Sequence, residues 1–172
     1  STIGTICSKL SCALAAGCAS IIKPSELSPL QTLVIAEALH SAGLPSGVFN
    51  ILIGRGNEVG EEISQNPGIA KISFTGSTAT GKLISKMSTD SMKRVSLALS
   101  GKSAAIVLHD ADFPDAIAKC VQSAFQNNGQ ACIAGTRVLV PRNRLEETID
   151  LVRLYVSQVT IGDPADPTTE MG

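Results

Sequence analysis

The chain has no tryptophan, one tyrosine and four phenylalanines, so the flat aromatic surfaces on which proteins stack bases or sugars are nearly missing. It also lacks an excess of either charge: 14 Lys and Arg stand against 15 Asp and Glu, a net charge of −1 with no long run of one sign. That leaves no electrostatic footprint for a polyanion, and no nucleic-acid partner is expected. Long apolar runs are absent too. Stretches such as Ala13 to Ala16 and Ile51 to Ile53 fall far short of the ~20 residues that cross a bilayer, so no membrane span is expected. The five cysteines form no C-x-x-C pair, and their odd number leaves at least one thiol free. A reducing, cytoplasmic setting is the simpler expectation, with no metal site. The start, Ser1-Thr2-Ile3-Gly4, is followed by Lys9 inside an apolar run rather than ahead of one, which does not read as a signal peptide.

What is present is enough for a core: 172 residues at 44% hydrophobic content, one domain or two small ones on length. Ile6 to Leu14 has helical spacing, and Cys18 to Ile22 is a short apolar run stopped by Lys23-Pro24, hence a strand. Ser28-Pro29 places a cap before a first-turn proline, and Leu33, Ala36 and Leu39 carry a helix to Gly43. Val48 to Ile53 is the next strand, leading through Gly54-Arg55-Gly56 into a helix from Glu58 to Ser64. Strand Ala70 to Phe74, helix Thr78 to Met87, strands Arg94 to Leu99 and Ser103 to Leu108, helix Phe113 to Asn127, strand Arg137 to Val140 and helix Leu145 to Ser157 follow. This alternation is the grammar of an α/β fold with a parallel, helix-covered sheet. A change of domain is expected near Leu97 to Lys102.

Several segments carry groups with chemical potential, each with a plainer reading beside it. Gly54-Arg55-Gly56 sits between strand and helix, where N–H groups meet phosphates, but Val59 occupies the place of the third glycine of G-x-G-x-x-G, and an ordinary turn accounts for it. In Phe74-Thr75-Gly76-Ser77-Thr78 the strand-to-helix junction suits an anion, while Ser77 or Thr78 serves equally as a helix cap. Lys23 and Glu26 end a strand, where they either hydrogen-bond a sugar diol or form a solvated ion pair. Cys132 follows a helix broken by Asn128-Gly129, a place where backbone donors can face an oxyanion; as a lone cysteine it is equally an apolar filler. Cys7, Cys12, Cys18 and Cys120, each inside an apolar segment, read as fillers.

Taken in order, Ala15-Ala16-Gly17, Lys23-Pro24-Ser25-Glu26, Ala42 to Asn50 (AGLPSGVFN), Phe74 to Thr78 with Gly81, Gly129-Gln130-Ala131-Cys132 and Gly162-Asp163-Pro164 resemble the landmarks of the aldehyde dehydrogenase superfamily across essentially the whole chain. The resemblance implies a Rossmann-like dinucleotide-binding part over residues 1–96 and the first part of a catalytic domain over 97–172. It implies that Cys132 attacks an aldehyde, forming a thiohemiacetal that gives up hydride and becomes a thioester, with its own N–H as an oxyanion donor. Lys23, Ser25 and Glu26 are implied at the adenosine ribose, Gly56 beside the adenine, and Phe74, Gly76 and Ser77 near the pyrophosphate. Leu99 is implied at the nicotinamide and Lys9 in a proton relay. A carboxylate at Glu26 repels a 2′-phosphate, so NAD is expected over NADP.

Two departures qualify this. Where the family has Glu-Leu-Gly-Gly-Lys the chain reads Ala98-Leu99-Ser100-Gly101-Lys102, so the base that activates the hydrolytic water is missing. Deacylation onto coenzyme A, or a non-catalytic nucleotide-binding or assembly module, are the alternatives. The family's Pro-Trp-Asn is expected to end about where Ser1 begins, and its Glu-x-Phe-Gly-Pro to lie beyond Gly172. An internal piece is therefore expected, incomplete in fold, inactive alone, with uncovered apolar faces and marginal stability. The parent is expected to be a homodimer or homotetramer.

Overall fold

The computed structural model describes residues 3–172. Ser1 and Thr2, half of the start read for a signal peptide, lie outside the described residues. The chain divides into two compact units, residues 1–99 and 100–172.

In the first unit, helix α1 (Ile3–Ala15) buries Ile6 and Leu10, four residues apart and therefore stacked on one face. It ends at Gly17, whose φ of +72° is left-handed, while the Cys18 N–H reaches back five residues to the Ala13 carbonyl at 2.9 Å. This is the glycine-dependent Schellman closure. Helix α2 (Gln31–Ser41) ends the same way at Gly43 (φ +80°), with Leu44 N–H on the Leu39 carbonyl at 3.0 Å. Its start differs from the sequence reading: Leu30, not Ser28, is the N-cap, and no side chain caps it. The Ser28 carbonyl is instead used by the Gln31 side chain, at 3.2 Å. Ile6, Leu10 and Ile35 form the core here, with Leu14, Ile22, Leu39 and Phe49 against them.

Strands β1 (Ser20–Ile22) and β2 (Phe49–Ile51) pair in parallel across α2, and β3 (Lys71–Gly76) and β4 (Arg94–Leu99) do so across helix α4 (Thr78–Met87). Between β2 and β3 lie a π-helical turn, Gly56–Gly60, and the short helix α3 (Glu61–Gln65), where the sequence predicts one continuous helix from Glu58. The reason is local. The Arg55 carbonyl accepts from the N–H groups of Glu58, Val59 and Gly60 at 3.3, 3.0 and 3.4 Å, which widens the first turn. Lys93, only 9% exposed, fastens the far end by donating to the Asn66 carbonyl at 2.7 Å.

In the second unit β5 (Ala104–Ile106) and β6 (Arg137–Leu139) are again parallel, joined through helix α5 (Phe113–Phe125). Asp112 caps α5 by accepting from the Asp115 N–H at 3.4 Å. Val107, Phe113, Ile117 and Cys120 form its core, closed by Leu151, Val152 and Tyr155 of helix α6 (Leu145–Val156). Arg144 lies over the Phe113 ring, 3.7 Å from its centroid, and is held by Glu147 at 2.7 Å.

The fold is thus three βαβ crossovers, an incomplete parallel α/β fold. The strands form three separate two-stranded ladders rather than one sheet. Four of them are only three residues long, and their apolar neighbours stay uncovered: Ile106 and Leu108 are 68% and 62% exposed. Among the described residues no helix is long and apolar enough to cross a membrane, and no three His, Cys, Asp or Glu side chains converge as a metal site would need.

Candidate active site

In the first unit the residues singled out for a dinucleotide gather at the carboxyl ends of parallel strands, the edge at which such sheets expose helix N-termini and loops to ligands. Lys23 to Glu26 follow β1. The Lys23 ammonium donates to the carbonyls of Pro24 (2.8 Å) and Gly54 (3.0 Å) and lies 3.5 Å from the Glu26 carboxylate. It thereby ties the ends of β1 and β2 together. Glu26 is exposed, and its carboxyl is held below the usual carboxylate range, first by its own backbone N–H and next by the Lys23 charge. The Ser25 hydroxyl accepts from the Leu27 N–H at 3.3 Å, so it shapes its own turn.

Some glycines are required by packing and Gly56 is not. A Cβ at Gly54 would lie 2.4 Å from Val59 Cγ2, at Gly76 2.4 Å from the tip of the Phe74 ring, and at Gly81 2.6 Å from Leu99 Cδ2. Those three glycines are explained by packing inside the chain. At Gly56 a Cβ meets nothing within 4 Å, and its φ is not left-handed. Among the described residues nothing demands a glycine there.

Gly76 and Leu99 are register partners at the ends of β3 and β4, and Phe74 pairs with Leu97. Ser77 is the N-cap of α4: its oxygen accepts from the Thr80 N–H at 3.1 Å. The plainer reading of Ser77 is therefore correct as far as it goes, and it leaves the helix dipole available. Thr75 pairs with Ala98, and the Thr75 hydroxyl is buried without a partner among the described residues. Lys9 is half-buried on α1, and burial lowers its pKa.

In the second unit Cys132 is exposed, in a turn closed by the Ala134 N–H on the Ala131 carbonyl at 3.1 Å. Asn127, Asn128 and Gly129 precede it with φ of +52°, +57° and +70°. Three successive left-handed residues explain the composition, since Asn and Gly tolerate that region best. Asn127 Nδ2 donates to the Gln130 carbonyl at 3.3 Å, and Ser123 Oγ accepts from the Gly135 N–H at 3.4 Å. A Cβ at Gly101 would sit 3.3 Å from the Cys132 carbonyl oxygen. The sequence did not point to Asn127, Ser123 or Gly101 as supports of this turn; only the left-handed Asn-Asn-Gly run hinted at it.

The other thiols need correction. Cys120 is a buried filler, and burial pushes its thiol up, away from reactivity. Cys7, Cys12 and Cys18 are exposed, not buried. The buried stripe of α1 is only Ile6 and Leu10 wide, which leaves Cys7 and Cys12 outside it.

Set beside known proteins, residues 2–172 match the model of the aldehyde dehydrogenase family. The chain belongs to that family. It is 44% identical over 165 residues to geranial dehydrogenase of Castellaniella defragrans, covering 95% of this chain and 34% of the relative. Among solved structures it superposes on aldehyde dehydrogenase C of Pseudomonas syringae, determined with NAD+ and octanal, with a TM-score of 0.90 at 45% identity over 95% of this chain and 34% of that one. An E. coli NADP-dependent enzyme matches with a TM-score of 0.93 at 36% identity, over 97% and 35% of the two chains. This aldehyde dehydrogenase chain spans about a third of the length of the relatives it matches (36% for a 3-succinoylsemialdehyde-pyridine dehydrogenase of a Pseudomonas species).

Proposed function

We propose that the chain supplies the thiol nucleophile and the adenosine half of the dinucleotide site to an oxidation of a small aldehyde. The observation that carries this is Cys132: an exposed thiol on a turn built from left-handed residues, in a family of aldehyde dehydrogenases. The thiolate adds to the aldehyde carbon, a carbon–sulfur bond forms, and the carbonyl oxygen takes up negative charge beside the Cys132 N–H. A bound nicotinamide would supply the hydride acceptor for the carbon held on Cys132. The carbon left on Cys132 is then a thioester, two electrons more oxidised. Glu26 accepts from the ribose diol with Lys23 fixing the carboxylate beside it, Gly56 makes room for the adenine, and the start of α4 at Gly76 and Ser77 faces the pyrophosphate. Leu99 stands toward the nicotinamide, and Lys9 carries protons. NAD is the expected cofactor, with the cytoplasm as the setting that suits five free thiols.

Incubation of the parent protein with octanal and NAD, followed by peptide mass mapping, tests the role of Cys132. An acyl group on Cys132, missing from Cys7, Cys12 and Cys18 and lost in Cys132→Ser, is the expected result. Acylation spread over all exposed thiols, or none, refutes it.

A second reading concerns the fate of the thioester and rests on Ala98, a methyl side chain that accepts no proton. The acyl group leaves to a thiol such as coenzyme A rather than to water. In the acylated chain, release as acyl-CoA supports this; prompt release as free acid with no added thiol removes it. A non-catalytic binding module predicts NAD binding with no acylation at all.

A further inference from the structure

The turn ahead of Cys132 holds the chain's single Asn-Gly pair, Asn128-Gly129. An asparagine cyclises when the peptide nitrogen of the next residue reaches its side-chain carbonyl carbon, and glycine, with no Cβ, leaves that approach most open. The chain's other asparagines lack this opening. Asn66 precedes Pro67, whose nitrogen has no hydrogen to give up, and Asn50, Asn57, Asn127 and Asn143 each precede a residue with a side chain. Asn50 and Asn127 are fastened besides, their carboxamides donating to the Gly47 carbonyl at 2.8 Å and the Gln130 carbonyl at 3.3 Å. The Asn128 residue is exposed, and its carboxamide makes no hydrogen bond among the described residues. Its backbone lies past the end of α5, at φ +57°. One restraint remains. The Gly129 N–H is shared between the carbonyls of Phe125 at 3.0 Å and Gln126 at 3.1 Å, and a proton divided between two acceptors at a helix end is freed by a local opening.

We propose that Asn128 is a self-modifying site: the Gly129 nitrogen closes on its side chain when the turn opens, leaving aspartate or isoaspartate in the turn that presents Cys132. The Gly129 nitrogen bonds to Asn128 Cγ, the Cγ–Nδ2 bond breaks, and the proton lost by Gly129 departs, by way of water, in the ammonia. Water then opens the cyclic imide. Addition at Cγ restores the ordinary backbone as aspartate; addition at the main-chain carbonyl carbon gives isoaspartate, whose backbone runs through Cβ and Cγ. Nothing is oxidised or reduced, and water is the only co-reactant. Either product adds a carboxylate four residues before Cys132, and isoaspartate also lengthens the chain within the left-handed run 127–129. The added charge disfavours the Cys132 thiolate, and the lengthened turn displaces the thiol. Only the exposure of Cys132 enters here, not its catalytic role.

The test is prolonged incubation of the parent protein in mildly alkaline buffer, followed by mass mapping of the tryptic peptide 120–137, which carries Asn127, Asn128 and Cys132. An amide-to-acid mass gain at Asn128, ahead of Asn50, Asn57, Asn66, Asn127 and Asn143 and as two products that chromatography separates, is the expected result. Asn128→Gln, which would need a larger ring, should show none. Alkylation of Cys132 by iodoacetamide should slow by about twofold or more in the converted protein, and in part in Asn128→Asp, which has the charge without the lengthening. A gain that comes first at another asparagine, that persists in Asn128→Gln, or that reaches Asn128 only in urea overturns the site. Conversion with Cys132 alkylation unchanged overturns its effect on the thiol.

Discussion

Replacing Ile117 by alanine tests how far helix α5, which leads into the turn that carries Cys132, depends on the core of the second unit. Ile117 is fully buried at 0% exposure, between Phe113 and Cys120 on α5 and against the residues of α6. The change deletes three carbons, worth about 2.4 kcal/mol in transfer at about 0.8 per methylene, and the cavity adds to that, giving about 3 kcal/mol. The second unit has roughly 70 residues, for which about 4–11 kcal/mol of total stability is ordinary. The variant therefore forfeits between a quarter and most of it. The sequence holds one tyrosine and no tryptophan, and Tyr155 packs on this same core, so its fluorescence in a urea titration reports the second unit alone. A second readout is Cys120, buried and with its thiol pushed up, which thiol reagents should label slowly in the parent and much faster in Ile117→Ala. A midpoint shift worth less than about 1 kcal/mol, with Cys120 labelling unchanged, would show that this core does not hold α5 in place.

Further expectations follow from the same contacts. Gly56→Ala should leave the urea midpoint unchanged, since its Cβ meets nothing within 4 Å and its φ is not left-handed, yet weaken NAD in a binding titration; loss of stability instead would assign the glycine to the fold. Asp112→Ala removes the cap of α5 and should cost about 1 kcal/mol in the Tyr155-monitored unfolding, whereas Asp112→Asn should cost much less. Glu26 has a folded-state carboxyl below its ordinary value, so the proton is lost early as pH rises. NAD affinity should stay flat from neutral pH down to the usual carboxylate range and fall only below it, and a decline already near pH 6 would contradict Glu26 as the acceptor of the ribose hydroxyls.

Element order was legible because periodicity and punctuation agree along this chain. Gly17 and Gly43 close α1 and α2 with left-handed φ, and β4 and α4 fall where apolar spacing puts them. What the sequence could not show were effects of chain segments on each other. The three N–H groups that converge on the Arg55 carbonyl turn the start of the predicted Glu58 helix into a π turn, and no propensity encodes that convergence. The exposure of Cys7 and Cys12 depends on how much of α1 the core covers, and two buried residues are a narrower stripe than its apolar composition suggests. The site followed the same rule. Lys23, Glu26 and Cys132 were visible as residue types in suggestive places, but that Lys23 spends its donors on two carbonyls and a carboxylate required the fold.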